Sequence, residues 1–378
     1  MILASTKLIL NIMIFPNYDE SLVSVSTSIL RYYNVENPGH KSLKELDEIF
    51  ISRKPRNVVL MLFDGFGYNL MLRNLKPDSF LRQHIVRKIS STFPPTTVAA
   101  TTAVSSALYP IETAWLGWFS YFKEIDDIVT TFTTLKQSDG EPAATENLAK
   151  KYMPYVSIGT KIHNQNPHVK YSEIATYLNK DLSLKEIKNT ITSIISSNEE
   201  NFIYCYWPDP DHTMHEFGVD DSETRNVENK LDEFVKELTS KASNETLFII
   251  IADHGLIDTE YIYLKDYPTL FAQLKRSYSM ENRAASLYIK DGKIETFKKE
   301  FKKQHLDRYF ILYDKKSFLE SGLLGNANPH PMVNELVGDL IAVATDKYSL
   351  AIEKSEHEFV GIHAGLTEDE MLVPLIVV

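Results

Sequence analysis

Six residues in four widely separated segments have the chemistry to hold metal ions: Asp64, Asp211, His215, Asp253, His254 and His363. Asp211 and His215 stand four apart, so one helical turn brings both side chains onto one face. A carboxylate beside an imidazole suits a divalent ion of the zinc type. Asp253 and His254 directly follow the apolar run Ile249-Ile250-Ile251-Ala252. A charged pair there is costly to bury unless it is partnered or bound to metal. Asp64 precedes Gly65-Phe66-Gly67, and His363 sits in the small-residue loop Gly361-Ile362-His363-Ala364-Gly365. That loop runs into Thr367-x-x-Glu370, the pattern of a helix capping box.

Each segment has a plainer reading when taken singly. An Asp after a strand is most often a cap or a turn residue. A loop His is most often a surface residue. The Gly-x-Gly after Asp64 is not a dinucleotide fingerprint, because position 70 is Leu and an Asp precedes the first Gly. The combination carries the argument. Three carboxylates and three imidazoles suffice for two divalent ions, with a threonine hydroxyl as a seventh donor.

A donor of that kind lies in Ser90-Ser91-Thr92-Phe93-Pro94-Pro95-Thr96-Thr97-Val98-Ala99-Ala100. The prolines suit a helix start and the alanines its body, which places Thr96 or Thr97 at a helix N-terminus. Free N–H groups and the helix dipole favour a phosphate oxygen there.

The elements that must position these residues alternate between two periods. Short apolar runs at 57–63, 155–158, 201–207, 246–252 and 373–378 read as strands buried on both faces. Ser183 to Ser196 and Ser222 to Lys241 carry apolar residues at helical spacing. The expected class is α/β, a three-layer αβα fold around a mainly parallel central sheet. Length allows two domains at about 150 residues each. The expectation is one domain over 1–378 with an insert at about 260–350, a lysine-rich stretch ahead of the last ligand segment.

The composition, 43% apolar and 24% charged, is that of a globular chain and excludes a disordered or fibrous one. Lys and Arg number 40 against 51 Asp and Glu, and the net charge of −11 argues against general nucleic-acid binding. Two divalent ions would locally outweigh three carboxylates, so a small anionic substrate remains compatible. No run reaches the roughly 18 apolar residues of a membrane span. The run Leu8 to Phe15 reads as a buried strand or helix end rather than a signal peptide. The lone Cys205 permits no internal disulfide and suits the core. It fits a cytoplasmic protein. Nothing in the sequence speaks to oligomeric state.

The order Asp-Gly, Thr, Asp-x-x-x-His-x-x-Gly, Asp-His-Gly and a late His resembles the alkaline phosphatase superfamily. It is closest to the branch of type I phosphodiesterases and nucleotide pyrophosphatases. The resemblance runs from about Asn57 to the C-terminus. It implies two zinc ions bridged by substrate phosphate. One would be held by Asp211, His215 and His363, the other by Asp64, Asp253 and His254 with the nucleophile. In that branch the nucleophile lies ten residues before a Gly that precedes Leu-x-Pro. Here Ala107 precedes Leu108-Tyr109-Pro110, and ten residues back is Thr97. Thr92, which precedes Phe93-Pro94, and Thr96 are the alternatives.

There are departures from the family pattern. Thr113-Ala114 stands where His-Gly is usual, and Trp118 takes the place of an Asn that steadies a phosphate oxygen. Trp118 is therefore a candidate substrate-binding residue, with core packing as the competing role. The leading expectation is hydrolysis of phosphodiester or pyrophosphate bonds in a small phosphoester or nucleotide, through a covalent phospho-threonine. A phosphomonoesterase or phosphonate hydrolase is the alternative, with Lys123 as the nearest cation for non-bridging oxygens unless it is a plain surface charge. A metal-binding member of a complex without turnover is a third reading. The Cys/Ser-x-Pro-x-Arg pattern of sulfatases is absent from the sequence.

Overall fold

Strand β1 (Asn57–Phe63) is buried at every position and lies near the middle of a six-stranded sheet. The computed structural model describes residues 13–36 and 39–378. β1 pairs in parallel with β6 (Glu200–Trp207) on one side and β7 (Thr246–Ile251) on the other. β5 (Val169–Ala175) extends the sheet beyond β6, again in parallel. Beyond β7 come β16 (Leu372–Val377), antiparallel to its neighbours, and then β2 (Ile85–Ser90). Strands covered by helices on both faces bury nearly continuous apolar runs, and β1 and β7 are buried at every position, each with a single polar residue, Asn57 and Thr246, at its start. Helices Leu22–Tyr32, Leu184–Ile195 and Ser222–Thr239 supply covering residues such as Ile29, Ile191 and Leu231 to the same core. The fold is thus the expected α/β class with a mostly parallel sheet flanked by helices.

Two expectations need correction or restriction. Residues 155–158 form no strand: the chain is irregular up to Ser157, which caps the helix Ile158–Gln165 by accepting from the Thr160 N–H. A four-residue apolar run leaves strand and helix start undistinguished. The strand of that region is β5, whose exposed Lys170 and Glu173 mark a sheet edge rather than an apolar run. The element expected at 8–15 lies outside the described residues up to position 12, while Met13 bridges to Thr367.

A second sheet is antiparallel throughout, in the order β12-β13-β11-β10-β3-β4. Its members are β3 (Phe119–Phe122), β4 (Asp127–Thr130), β10 (Ser279–Met280), β11 (Ala284–Leu287), β12 (Phe310–Asp314) and β13 (Leu340–Ala344). Four of the six fall within 260–350, and the other two follow the Trp115–Trp118 segment. Two short pairs complete the strands. β9 (Glu260–Tyr263) runs parallel to β14 (Tyr348–Ala351), and β8 (Ile257–Asp258) pairs antiparallel with β15 (Gly361–Ile362). Among the described residues no helix is long and apolar enough to cross a membrane.

One buried acid has a stability consequence. Glu228, fully buried in the helix Ser222–Thr239, accepts from the Asn74 side chain on Oε1, while Oε2 has no hydrogen-bond partner among the described residues. Burial pushes its pKa up to about 8 from an ordinary 4.5. The folded protein therefore holds a proton that the unfolded chain releases, so this contribution is complete below pH 4.5 and is lost as pH rises to about 8. Each unit between the two values is worth about 1.4 kcal/mol. Glu228→Gln is expected to raise the urea midpoint most at pH 8 and above, with little gain near pH 5, and unfolding across pH 5–9 tests this.

Candidate metal centre

The C-terminal ends of three adjacent parallel strands carry the three aspartates. Asp64 follows β1, Asp211 opens the helix Asp211–Phe217 after β6, and Asp253 follows β7. Open α/β sheets place ligands at this edge. The loops are stitched together by backbone: the Asp64 N–H donates to the Trp207 carbonyl at 2.9 Å, and the Asp211 N–H to the Asp64 carbonyl at 3.0 Å. Two glycines make the approach possible. Gly65 has φ +73°, and a Cβ there would lie 2.9 Å from the Asp211 Cα. A Cβ on Gly255 would lie 2.0 Å from the Asp369 carbonyl oxygen.

His363 arrives from the far end of the chain because β15 pairs with β8, just after His254. The His254 and His363 rings stack at 3.9 Å between centroids. All three histidines turn the same nitrogen outward. Nδ1 faces the Gly361 carbonyl in His215 (2.8 Å), the Gly255 carbonyl in His254 (3.2 Å) and the Pro95 carbonyl in His363 (3.1 Å). A carbonyl only accepts, so each Nδ1 carries the proton and each Nε2 offers a lone pair to the centre.

The donor atoms form two overlapping groups. Asp211, His215 and His363 lie within 4.8 Å of one another, as do Asp64, Asp211 and His254. Asp211 thus belongs to both groups, with Nε2 of His215 at 3.2 Å and of His363 at 3.8 Å from its carboxylate. Asp253 stands just outside the second group. Its Oδ1 accepts from the Gly65 and His254 N–H groups, and its Oδ2 lies 3.5 Å from His254 Nε2. That contact is not a hydrogen bond, and Oδ2 of Asp253 and Oδ1 of Asp211 are buried without a hydrogen-bond partner among the described residues. Unpartnered buried carboxylate oxygens beside three inward imidazole lone pairs are what a pair of divalent cations would satisfy.

The electrostatics agree. Burial, and then the charges of Asp253 and Asp211, push Asp64 well above the ordinary carboxylate range. Burial also raises Asp253. Asp211 goes the other way: burial works to raise it, but His215, His363 and His254 outweigh burial and hold it low. Burial and the neighbouring His254 drive His363 well below its usual value, which favours the neutral, ligating form.

Thr97 opens the helix Thr97–Ser106, and its Oγ1 lies 3.4 and 3.3 Å from the two Asp64 oxygens and 3.3 Å from His254 Nε2. Thr96 instead donates to Glu281 Oε1, and the buried Thr92 hydroxyl has no partner among the described residues. Trp118 is 44% exposed and ties its backbone N–H to the same Glu281 oxygen. Lys123 is exposed and paired with Glu335 at 2.5 Å. Cys205 is buried in β6, where burial pushes its thiol up to about 12.

Three residues near the site had no signal in the sequence. The Tyr206 hydroxyl donates to Asp64 Oδ2 at 2.5 Å. Glu281 holds Thr96 and Trp118. Arg283, fully buried, forms a two-pronged pair with Glu370 at 2.7 and 2.8 Å. Glu370 also accepts from the Gly365 and Thr367 N–H groups and the Thr367 hydroxyl, which organises the loop after His363. Of these links, only the capping box of Thr367 and Glu370 could be read from spacing.

A buried set of metal donors at the C-terminal edge of a mostly parallel sheet, with a threonine at a helix N-terminus, defines an alkaline phosphatase-like hydrolase. Residues 58–366 match the family model of type I phosphodiesterase / nucleotide pyrophosphatase, and the chain belongs to that family. It is a phosphodiesterase/nucleotide pyrophosphatase-like hydrolase. Among solved structures it is similar to murine ectonucleotide pyrophosphatase / phosphodiesterase 5, at TM-score 0.66 and 17% identity over 84% of this chain and 87% of that one. The human counterpart gives TM-score 0.64 and 18% identity over the same shares. Likeness at that identity speaks for the fold. No curated protein sequence matches the chain.

Removing divalent ions with a chelator leaves three carboxylates facing one another. The thermal midpoint is expected to fall on chelation and recover with added zinc, since an ion at 100 times its Kd adds about 2.7 kcal/mol. An unchanged midpoint in differential scanning fluorimetry would count against ion binding here. Arg283→Met strands a buried Glu370 charge and is expected to destabilise by about 3–5 kcal/mol, read as a lowered denaturant midpoint.

Proposed function

We propose that the chain hydrolyses phosphodiester or pyrophosphate bonds of a small phosphoester or nucleotide through a covalent phospho-threonine at Thr97, at a two-zinc site. Asp211, His215 and His363 would hold one ion, and Asp64, Asp253 and His254 the other. The observation that carries this reading is the position of Thr97 Oγ1, within 3.4 Å of both Asp64 oxygens and of His254 Nε2. Two divalent ions there supply Lewis acidity that makes a nearby hydroxyl more acidic and offsets charge on phosphoryl oxygens.

The chain's own groups account for the rest. Asp64 is the acceptor for the Thr97 hydroxyl proton, which aims the oxygen lone pairs into the centre. Tyr206 holds the Asp64 carboxylate in that orientation. The helix Thr97–Ser106 has no side-chain cap from Thr96, and the N–H groups of its first turn would receive phosphate oxygens. Attack by Thr97 Oγ1 forms the threonine–phosphorus bond as the alcohol or phosphate departs, and water then releases the product. The murine relative supports the reading, since an inactive threonine-to-alanine form of it is in complex with AMP. Lys123, the cation of the monoester alternative, pairs with Glu335 at the surface, which favours the diester reading.

Thr97→Ala is expected to lower kcat on bis-(p-nitrophenyl) phosphate by about 10³-fold or more while the other six donors retain zinc. Undiminished turnover with metal bound removes Thr97 from the chemistry. Metal analysis of the purified protein should return zinc at two ions per chain.

A further inference from the structure

The turn between β10 and β11 reaches from the second sheet into the edge of the site. Met280 adopts a left-handed conformation with φ 66°, and Glu281 is only 8% exposed. Glu281 Oε1 accepts two hydrogen bonds from separate parts of the chain. One comes from the Thr96 hydroxyl at 2.6 Å, the other from the Trp118 N–H at 2.7 Å. Thr96 is the N-cap position of the helix that begins at Thr97. Gly117 allows the second contact, since a Cβ there would lie 2.8 Å from the Met280 Cα. Glu281 Oε2 makes no hydrogen bond to the described residues.

We propose that Glu281 is a positioning residue for phosphoryl transfer: its Oε1 locks the start of the Thr97 helix to the Trp118 loop. This proposal rests on the assignment of Thr97 above. Trp118 is 44% exposed, with its ring nearly perpendicular to Phe132, so the lock also sets where this aromatic face stands relative to the threonine. It is the Trp118 backbone, rather than its side chain, that fastens the loop. Thr96 and Trp118 are joined through this one shared carboxylate oxygen. A displacement of the nucleophile by about 1 Å is enough to slow an in-line reaction on the order of 100-fold.

The test compares Glu281→Ala with Glu281→Gln in the full-length, zinc-loaded protein. A glutamine oxygen can accept both hydrogen bonds, and its NH₂ replaces an oxygen that has no partner. For Glu281→Ala, kcat on bis-(p-nitrophenyl) phosphate is expected to fall roughly 10- to 100-fold with KM within about 3-fold. Glu281→Gln should stay within about 3-fold of the parent in both. A readout independent of turnover is acrylamide quenching of tryptophan emission. It should rise in Glu281→Ala but not in Glu281→Gln, and the rise should vanish in a Trp118→Phe background. Parental kcat in a folded Glu281→Ala protein overturns the proposal. So does a Glu281→Gln protein as impaired as Glu281→Ala, which would assign the effect to charge. If Glu281→Ala does not fold, Thr96→Val removes one of the two donors alone and should still lower kcat; parental turnover there overturns the proposal equally. A parent that hydrolyses no phosphodiester would instead defeat the assigned function, and the quenching comparison would still decide the lock.

Discussion

Three carboxylates converge in a buried space at the end of one sheet, and that crowding is the constraint on which the rest of the structure depends. Asp64, Asp211 and Asp253 are brought together by strands with largely buried, apolar interiors, so water screens the charges little. Burial and mutual repulsion raise two of them, and the surrounding imidazoles hold down the third. Positive charge is the physical solution, and three histidines with Nε2 turned inward leave room for it to be supplied as cations. An arrangement of this kind is held against its own electrostatics by the packing around it.

That packing explains features remote from the chemistry. Parallel pairing of β6, β1 and β7 puts three strand ends side by side, and glycine contacts let the following turns cross at backbone distance. The β8–β15 pair brings the last histidine beside His254, and the Arg283–Glu370 pair fixes the loop that follows it. Both sheets therefore contribute. The first sheet presents the ligands, and the turn of the second sheet fastens the segments that arrive from elsewhere.

Much of this was legible from residue types. Acidic and imidazole groups directly after apolar runs are conspicuous, because burying them needs a partner. The helix at Thr97 was legible from its prolines and alanines, and of Thr92, Thr96 and Thr97 it is Thr97 whose hydroxyl contacts Asp64. The short run at 155–158 misled because four apolar residues suit a strand or a helix start equally. β5 escaped notice because its exposed positions break the apolar pattern. Glu281 and Arg283 lie in a polar stretch without periodicity, and their partners are 185 and 87 residues away in sequence.

By itself the sequence determined the α/β class, the candidate metal donors and the chemistry they are fit for, because each follows from side-chain type and local spacing. Tertiary structure alone decided how the donors are shared. Asp211 stands between the two groups, and Asp253 stands back with one oxygen bound to backbone. It also decided that Glu281, far from any motif, accepts hydrogen bonds from both Thr96, at the start of the Thr97 helix, and Trp118. Such relations depend on strand order and on the direction of single side chains, which local sequence does not encode.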